Sequence, residues 1–420
     1  LRAVNAAGPG PASAAVPVTP IEPGPIGNVF VPISPSRVID TRTAKGGTGA
    51  IQTGTQRVFS IATVQDGGAA AVPAGATAIV YNLTVPNPAI AGHLRVMPGD
   101  AASLTTASAI NFRPGETIAN GLTTTVDAQR RIVIYAGSTA DAIVDVVGYY
   151  LPSQQAKDPQ APGAVTPAAT GSRFTPTEPQ RVYSTITDPA GALPAGVNRQ
   201  VSVAAAVPAG AIAVAYNITV VRPASDGHLR VMPGDVMTTP TSTINWTATG
   251  DTIANGLTVA LGGDRTVRVQ NFTSGDVHFL FDVVGYYSAS GALFYPTDPT
   301  RVFESRTSHG GTGPILPLLP GQRVVSVAQA VDGGAEQVPE GAIAIAYNVA
   351  VTNTGSSGHL RVYPGDLATL ASASTLNWPG AGFTRANGTA VGISALREVK
   401  VYNGSDTSTD VFIDTYGYFR

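Results

Sequence analysis

In the segment AIAIAYNVAV, Ile343, Ile345, Tyr347, Val349 and Val351 alternate with Ala342, Ala344, Ala346, Asn348 and Ala350. A period of two predicts a β-strand with its large residues on one face. The opposite face is small enough for another layer to approach closely, so cover on both sides is expected. The pattern returns as AIVYNLTV over 78–85 and AVAYNITV over 213–220. Pro98-Gly99, Pro233-Gly234 and Pro364-Gly365 suit the central positions of type II turns. No segment carries a helical period.

These strands belong to a longer repetition. GHLRVMPGD occupies 92–100 and 227–235 and returns as GHLRVYPGD at 358–366. TIANGLT at 117–123 and 252–258 becomes TRANGTA at 384–390, and DVVGYY at 145–150 and 282–287 becomes DTYGYF at 414–419. The blocks keep one order, giving three repeats over 30–150, 174–287 and 294–420. Each is long enough to own a core, unlike the short units of a solenoid. About eight strands per repeat predict an all-β chain of three tandem antiparallel β-sandwich domains, jelly-roll-like in size.

The joints differ. Residues 151–173 form a Pro/Ala/Gly-rich linker, the composition of an extended spacer, whereas only 288–293 separate repeats two and three. Repeats two and three are therefore expected to be closely coupled, with repeat one further away and the three behaving as separate beads.

Composition narrows the function. The chain has 12% charged residues and a formal net charge of -2, with no basic run, which argues against nucleic acid and anionic lipid as partners. No apolar run is long enough to predict insertion into a membrane. With no cysteine, thiolate metal sites, cysteine nucleophiles and disulfides are all excluded. The 47 glycines and 33 prolines fit a turn-rich β protein. The first residue is Leu1, no leader pattern opens the chain, and the expectation is a piece of something longer.

Residues 1–20, LRAVNAAGPGPASAAVPVTP, resemble the last two strands of a fibronectin type III domain, with 21–29 as a linker. The order RVxDTR, xxxxNxTV, GHLRVxPGD, SxxN, AN and DVVGYY resembles repeat modules of secreted actinobacterial proteins. These resemblances imply an extracellular or cell-surface location. Repeat two departs from the RVxDTR block at Ser184 and Ile186.

Three constellations invite chemistry. The pairs His93/Arg95, His228/Arg230 and His359/Arg361 share a strand face and present donors suited to an anionic or hydroxyl-bearing ligand. Trp246 and Trp378, with Phe112, Tyr149 and Tyr150, offer either sugar-stacking platforms or core. Arg37, Arg181 and Arg301 open the repeats, and Asp145, Asp282 and Asp414 sit in apolar closing strands, so an ion pair is predicted inside each repeat.

The recurrent Asn82, Asn217 and Asn348, Asn111, Asn245 and Asn377, and Asn120, Asn255 and Asn387 are expected to bond backbone. No nucleophile elbow, zinc helix, calcium loop or phosphate loop is present, so no catalytic residue, metal or cofactor is assigned. The function expected is a non-catalytic stalk, adhesion or assembly module. Its partner would be a cell-surface or extracellular polymer, with self-assembly as a further expectation. The competing reading is a carbohydrate- or cell-wall-binding accessory of a larger secreted enzyme.

Overall fold

The computed structural model describes residues 4–5, 8–9, 26–43, 49–64, 71–153, 171–247, 250–307, 313–331 and 334–420. The fibronectin-like stretch therefore lies outside the described residues, apart from β1 (Val4–Asn5) paired with β2 (Gly8–Pro9). So do residues 154–170 of the first linker.

Repeat one holds β3 (Asn28–Asp40), β4 (Thr55–Ser60), β5 (Ala78–Val85), β6 (Gly92–Pro98), β7 (Ile110–Phe112), β8 (Ile118–Thr125), β9 (Arg131–Ala136) and β10 (Ile143–Pro152). Repeat two holds β11 (Arg173–Ser184), β12 (Asn198–Ser202), β13 (Ala213–Val221), β14 (Gly227–Pro233), β15 (Ile244–Trp246), β16 (Thr252–Ala260), β17 (Thr266–Thr273) and β18 (His278–Ser288). Repeat three holds β19 (Phe294–Glu304), β20 (Arg323–Ser326), β21 (Ala344–Thr352), β22 (Gly358–Pro364), β23 (Leu376–Trp378), β24 (Arg385–Gly392), β25 (Glu398–Asn403) and β26 (Asp410–Phe419).

Every repeat uses one topology. The sheet β11-β18-β13-β16 faces the sheet β12-β17-β14-β15, so the first, eighth, third and sixth strands oppose the second, seventh, fourth and fifth. All pairings are antiparallel. This is the double Greek key of a jelly roll, and the chain is three of them in tandem.

The opening strands tolerate prolines because they lie at the edge of each repeat's own sheet. Register shifts flank Pro32, Pro176 and Pro296 and bring Arg37, Arg181 and Arg301 opposite Asp145, Asp282 and Asp414. The glycine of each closing strand has a packing reason: a Cβ on Gly148, Gly285 or Gly417 would collide with the ring of Phe30, Phe174 or Phe294.

The two-faced strand behaves as its alternation predicts. Ile345, Tyr347, Val349 and Val351 fill the core of repeat three, while Ala344 and Ala346 pack into the cluster centred on repeat two. Just before β21 the alternation breaks: Ile343 is 43% exposed, and Ala342 joins the core of repeat three.

That cover comes from another repeat, which corrects the picture of separate beads with repeat one at a distance. All three are packed around one pseudo-threefold axis. The residues that enter each opening strand pair with the next strand round the ring: Ser172 with Phe30, Ala292 with Phe174, and Asn28 with Phe294. The last pairing joins repeats three and one into an eight-stranded sheet. The spacer misled because its composition describes what the segment itself can do, not what the faces it joins bury.

Candidate functional site

The axis is built by the sixth strands, β8, β16 and β24, and by the motif Ala-Asn-Gly in each. A Cβ at Gly121 would collide with the carbonyl of Gly256, one at Gly256 with that of Gly388, and one at Gly388 with that of Gly121. Only glycine permits this approach of three backbones.

The preceding asparagines lock it. Asn120 donates to Ala109 O at 2.6 Å and to Asn348 Oδ1 at 3.0 Å, and its own Oδ1 accepts from Gly388 N at 2.7 Å. Asn255 donates to Asn82 Oδ1 at 2.9 Å and accepts from Gly121 N at 2.8 Å; Asn387 donates to Asn217 Oδ1 at 2.9 Å and accepts from Gly256 N at 2.7 Å. A second tier closes the cycle, with Asn82 donating to Ser242 O at 2.8 Å, Asn217 to Ser374 O at 2.6 Å and Asn348 to Ser108 O at 2.8 Å. All six amides are buried. An unsatisfied buried amide costs about 1–3 kcal/mol, so each bond across repeats also guards against the wrong register. The remaining three depart from the expected backbone partners: Asn111, Asn245 and Asn377 each bond the side-chain hydroxyl of the serine three residues earlier.

The two ends of the axis differ. At one, six aromatic rings form a closed circuit. Phe30 and Tyr287 lie 4.4 Å apart between centroids, Tyr150 and Phe294 4.2 Å, and Phe174 and Phe419 4.3 Å, each pair bridging two repeats. The Tyr150 and Tyr287 hydroxyls bond at 2.8 Å, and burial pushes both phenols up. At the other end the equivalent positions hold Ile118, Ile253 and Arg385. Arg385 is 3% exposed and forms a bidentate ion pair with Glu116, Nη1 to Oε2 at 2.9 Å. Arg113 lies 3.7 Å over the Phe383 ring and donates to Gly382 O at 2.8 Å. Asp251 faces this group from repeat two, and burial pushes its carboxyl up. This charged clasp joins repeats one and three.

The Arg and Asp residues predicted to pair are brought together: Arg37 Nε to Asp145 at 2.9 Å, Arg181 Nε to Asp282 at 2.9 Å and Arg301 Nε to Asp414 at 2.8 Å. Burial pushes the three carboxyls up and the guanidinium pulls them back. Asp40 with Arg42 and Glu304 with Arg306 add a second pair in repeats one and three. Repeat two has none there, and its Ile186 is 57% exposed.

The histidine–arginine pairs work inward. Arg95 Nε donates to His93 Nε2 at 3.2 Å and Nη1 to Thr105 O at 2.8 Å. Arg361 repeats this on His359 at 3.2 Å and Ala371 O at 2.7 Å, and Arg230 on His228 at 3.3 Å and on Thr239 O. Burial and the neighbouring arginine hold His228 and His359 down at about 4, and lower His93. Neutral imidazole is the acceptor that orients each arginine onto the loop after its strand. Nε and Nη1 of each arginine, two of the donors expected to meet a ligand, are thus turned onto the protein itself.

Trp246 and Trp378 are also corrected as sugar platforms. They are 4% and 2% exposed, and their indoles donate to Ser225 O at 2.7 Å and Ser356 O at 2.8 Å. Phe112 and Tyr150 are core as well, and Tyr149 is packed against the core of repeat one. One aromatic pair missed by motif reading lines an open cleft between repeats one and three. Tyr295 and Tyr418 stack at 5.1 Å there beside Thr297, Glu336 and Gln337, around a volume of about 590 Å³. Among the described residues no group of three or more His, Cys, Asp or Glu converges as a metal site.

No family model matches the chain, and no curated protein matches it in sequence. Among solved structures it is similar to a chain from "The Triple Jelly Roll Fold and Turret Assembly in an Archaeal Virus", at 10% identity over 93% of this chain and 90% of that one, TM-score 0.19. It is also similar to a chain from the atomic structure of Sulfolobus Turreted Icosahedral Virus, at 10% identity over 93% and 91%, TM-score 0.18. The architecture rests on strand order and pairing, and neither likeness adds to it.

Proposed function

We propose that the chain is a non-catalytic scaffold, a stalk, adhesion or assembly element of a secreted or surface-attached protein. One observation carries this reading: the recurring residues that first suggested chemistry are engaged in holding strands, loops and repeats together. The asparagines and glycines join repeats, the arginine–aspartate pairs fasten opening to closing strands, and the histidine–arginine pairs hold loops. The two resemblances read from the sequence, to fibronectin type III strands and to modules of secreted actinobacterial proteins, support the location.

The test is co-sedimentation of the full chain with insoluble peptidoglycan, chitin and cellulose, with soluble products assayed alongside. Retention, or indifference, without turnover is expected. Release of soluble product from any of the three overturns the reading. Glycan binding is the second reading, favoured by the Tyr295/Tyr418 cleft. Under it, retention on one polymer is lost in Tyr295→Ala.

A further inference from the structure

Two of the three junctions in the ring are crossed by the chain, and the third is not. Repeats one and two are joined by 151–173 and repeats two and three by 288–293, whereas repeats three and one meet only through non-covalent contacts. At this seam the clasp of Glu116, Arg385, Arg113 and Phe383 stands where the chain is interrupted.

The two covalent joints do the same geometric work with unequal lengths. Ser172 and Ala292 make the same bridge, to Phe30 and to Phe174. The bridging residue is the 22nd of the first joint and the fifth of the second. Ser153 N lies 3.0 Å from Gly27 O and Ser172 N lies 2.8 Å from Phe30 O. Gly27 and Phe30 are three residues apart, at most about 11 Å of chain. The 17 residues between Ser153 and Gly171 reach about 55–60 Å if fully extended.

We propose that the length of this joint and this seam let repeat one leave its own ring and close the ring of a second copy of the chain. The occupant is the identical repeat, so every contact broken at Gly121, Asn120, Phe30 and Glu116 is remade. Exchange of an identical element is a low-cost route to a dimer, and at higher concentration the open ends continue into head-to-tail chains. In dilute solution the tether keeps repeat one at high effective concentration beside its own partners, so the closed monomer dominates. The inference rests on the scaffold reading, for which it names the partner.

The experiment exploits the absence of cysteine. Thr117→Cys with Thr247→Cys places thiols on repeats one and two where Thr117 N donates to Thr247 Oγ1 at 2.7 Å, and leaves the clasp intact. The full chain is refolded over a range of concentrations and bridged with a short bis-maleimide. Covalent dimers whose share rises with concentration are expected; bridged monomer alone at the highest concentration overturns the proposal. In a second variant lacking 157–168, intramolecular bridging shows that the ring has closed, and loss of the dimer is expected. Dimers that persist there overturn the proposal, because they form through another surface. If exchange fails while polymer assays still show no turnover, only this inference falls.

Discussion

The two ends of the axis solve one packing problem with opposite chemistry. At the aromatic end six rings come from equivalent positions in all three repeats, so any repeat would fit beside any other. At the charged end Ile118 and Ile253 are matched by Arg385, which pairs with Glu116 and faces Asp251, the acidic residue at the equivalent position of repeat two. The repeated residues make the ring; Arg385 is the member that departs from the repeat.

Breaking the aromatic end has the largest effect. Phe174→Ala removes a fully buried ring from two aromatic pairs and lowers stability by about 3–5 kcal/mol, read by denaturant titration. At the charged end Glu116→Leu strands the Arg385 guanidinium and costs about 2 kcal/mol, less than for a fully buried pair because Glu116 keeps some exposure. Glu116→Leu combined with Arg385→Ile gives position 385 the residue held at Ile118 and Ile253 and removes both partners of the pair. The double variant is expected to recover the loss, and a double variant no more stable than Glu116→Leu would show that the pair's charge is not the issue.

A smaller effect appears with pH. His228 and His359 titrate at about 4 when folded, below the ordinary histidine value near 6.5, so the unfolded chain takes up protons first. Their contribution is intact above about 6.5, falls between about 6.5 and 4, and amounts to roughly 1–2 kcal/mol together after solvent screening. The raised carboxyls of Asp145, Asp282 and Asp414 act in the opposite sense, since the folded state then binds protons more tightly. Comparing unfolding against pH with His228→Gln/His359→Gln isolates the histidines; an unchanged slope would remove them from the account. Smallest is Tyr150→Phe, which gives repeat one the residue repeat three already has at Phe419 and removes one of the Tyr287 hydroxyl's two partners, Thr258 remaining, at about 1 kcal/mol.

Much of the fold was legible because it is local. Alternation placed Ile345, Tyr347 and Val349 on a core face, and the bare alanine face announced that something would cover it. The buried setting of Asp145, Asp282 and Asp414 called for the arginines that meet them. The ring was not legible. Three similar faces are complementary whether they meet within one molecule or between several, and Asn120 reads the same whether its partner is eleven residues away or in another repeat. Trp246 and Trp378 failed as ligand platforms for a related reason, since period assigns a residue to a face without saying which face is wet. The seam did leave a trace, in the arginine that breaks TIANGLT into TRANGTA.

The axis also bears on how the chain ages. Asn120-Gly121, Asn255-Gly256 and Asn387-Gly388 are the dipeptide most prone to deamidation, in which the glycine nitrogen attacks the preceding side-chain amide and ammonia is released. In the closed ring each of those nitrogens is donated to an asparagine of another repeat. Peptide mapping after prolonged incubation should find these three sites intact in folded protein and converted in denatured protein. Conversion would place a carboxylate among six buried amides, so a ring once opened for long enough would not close again.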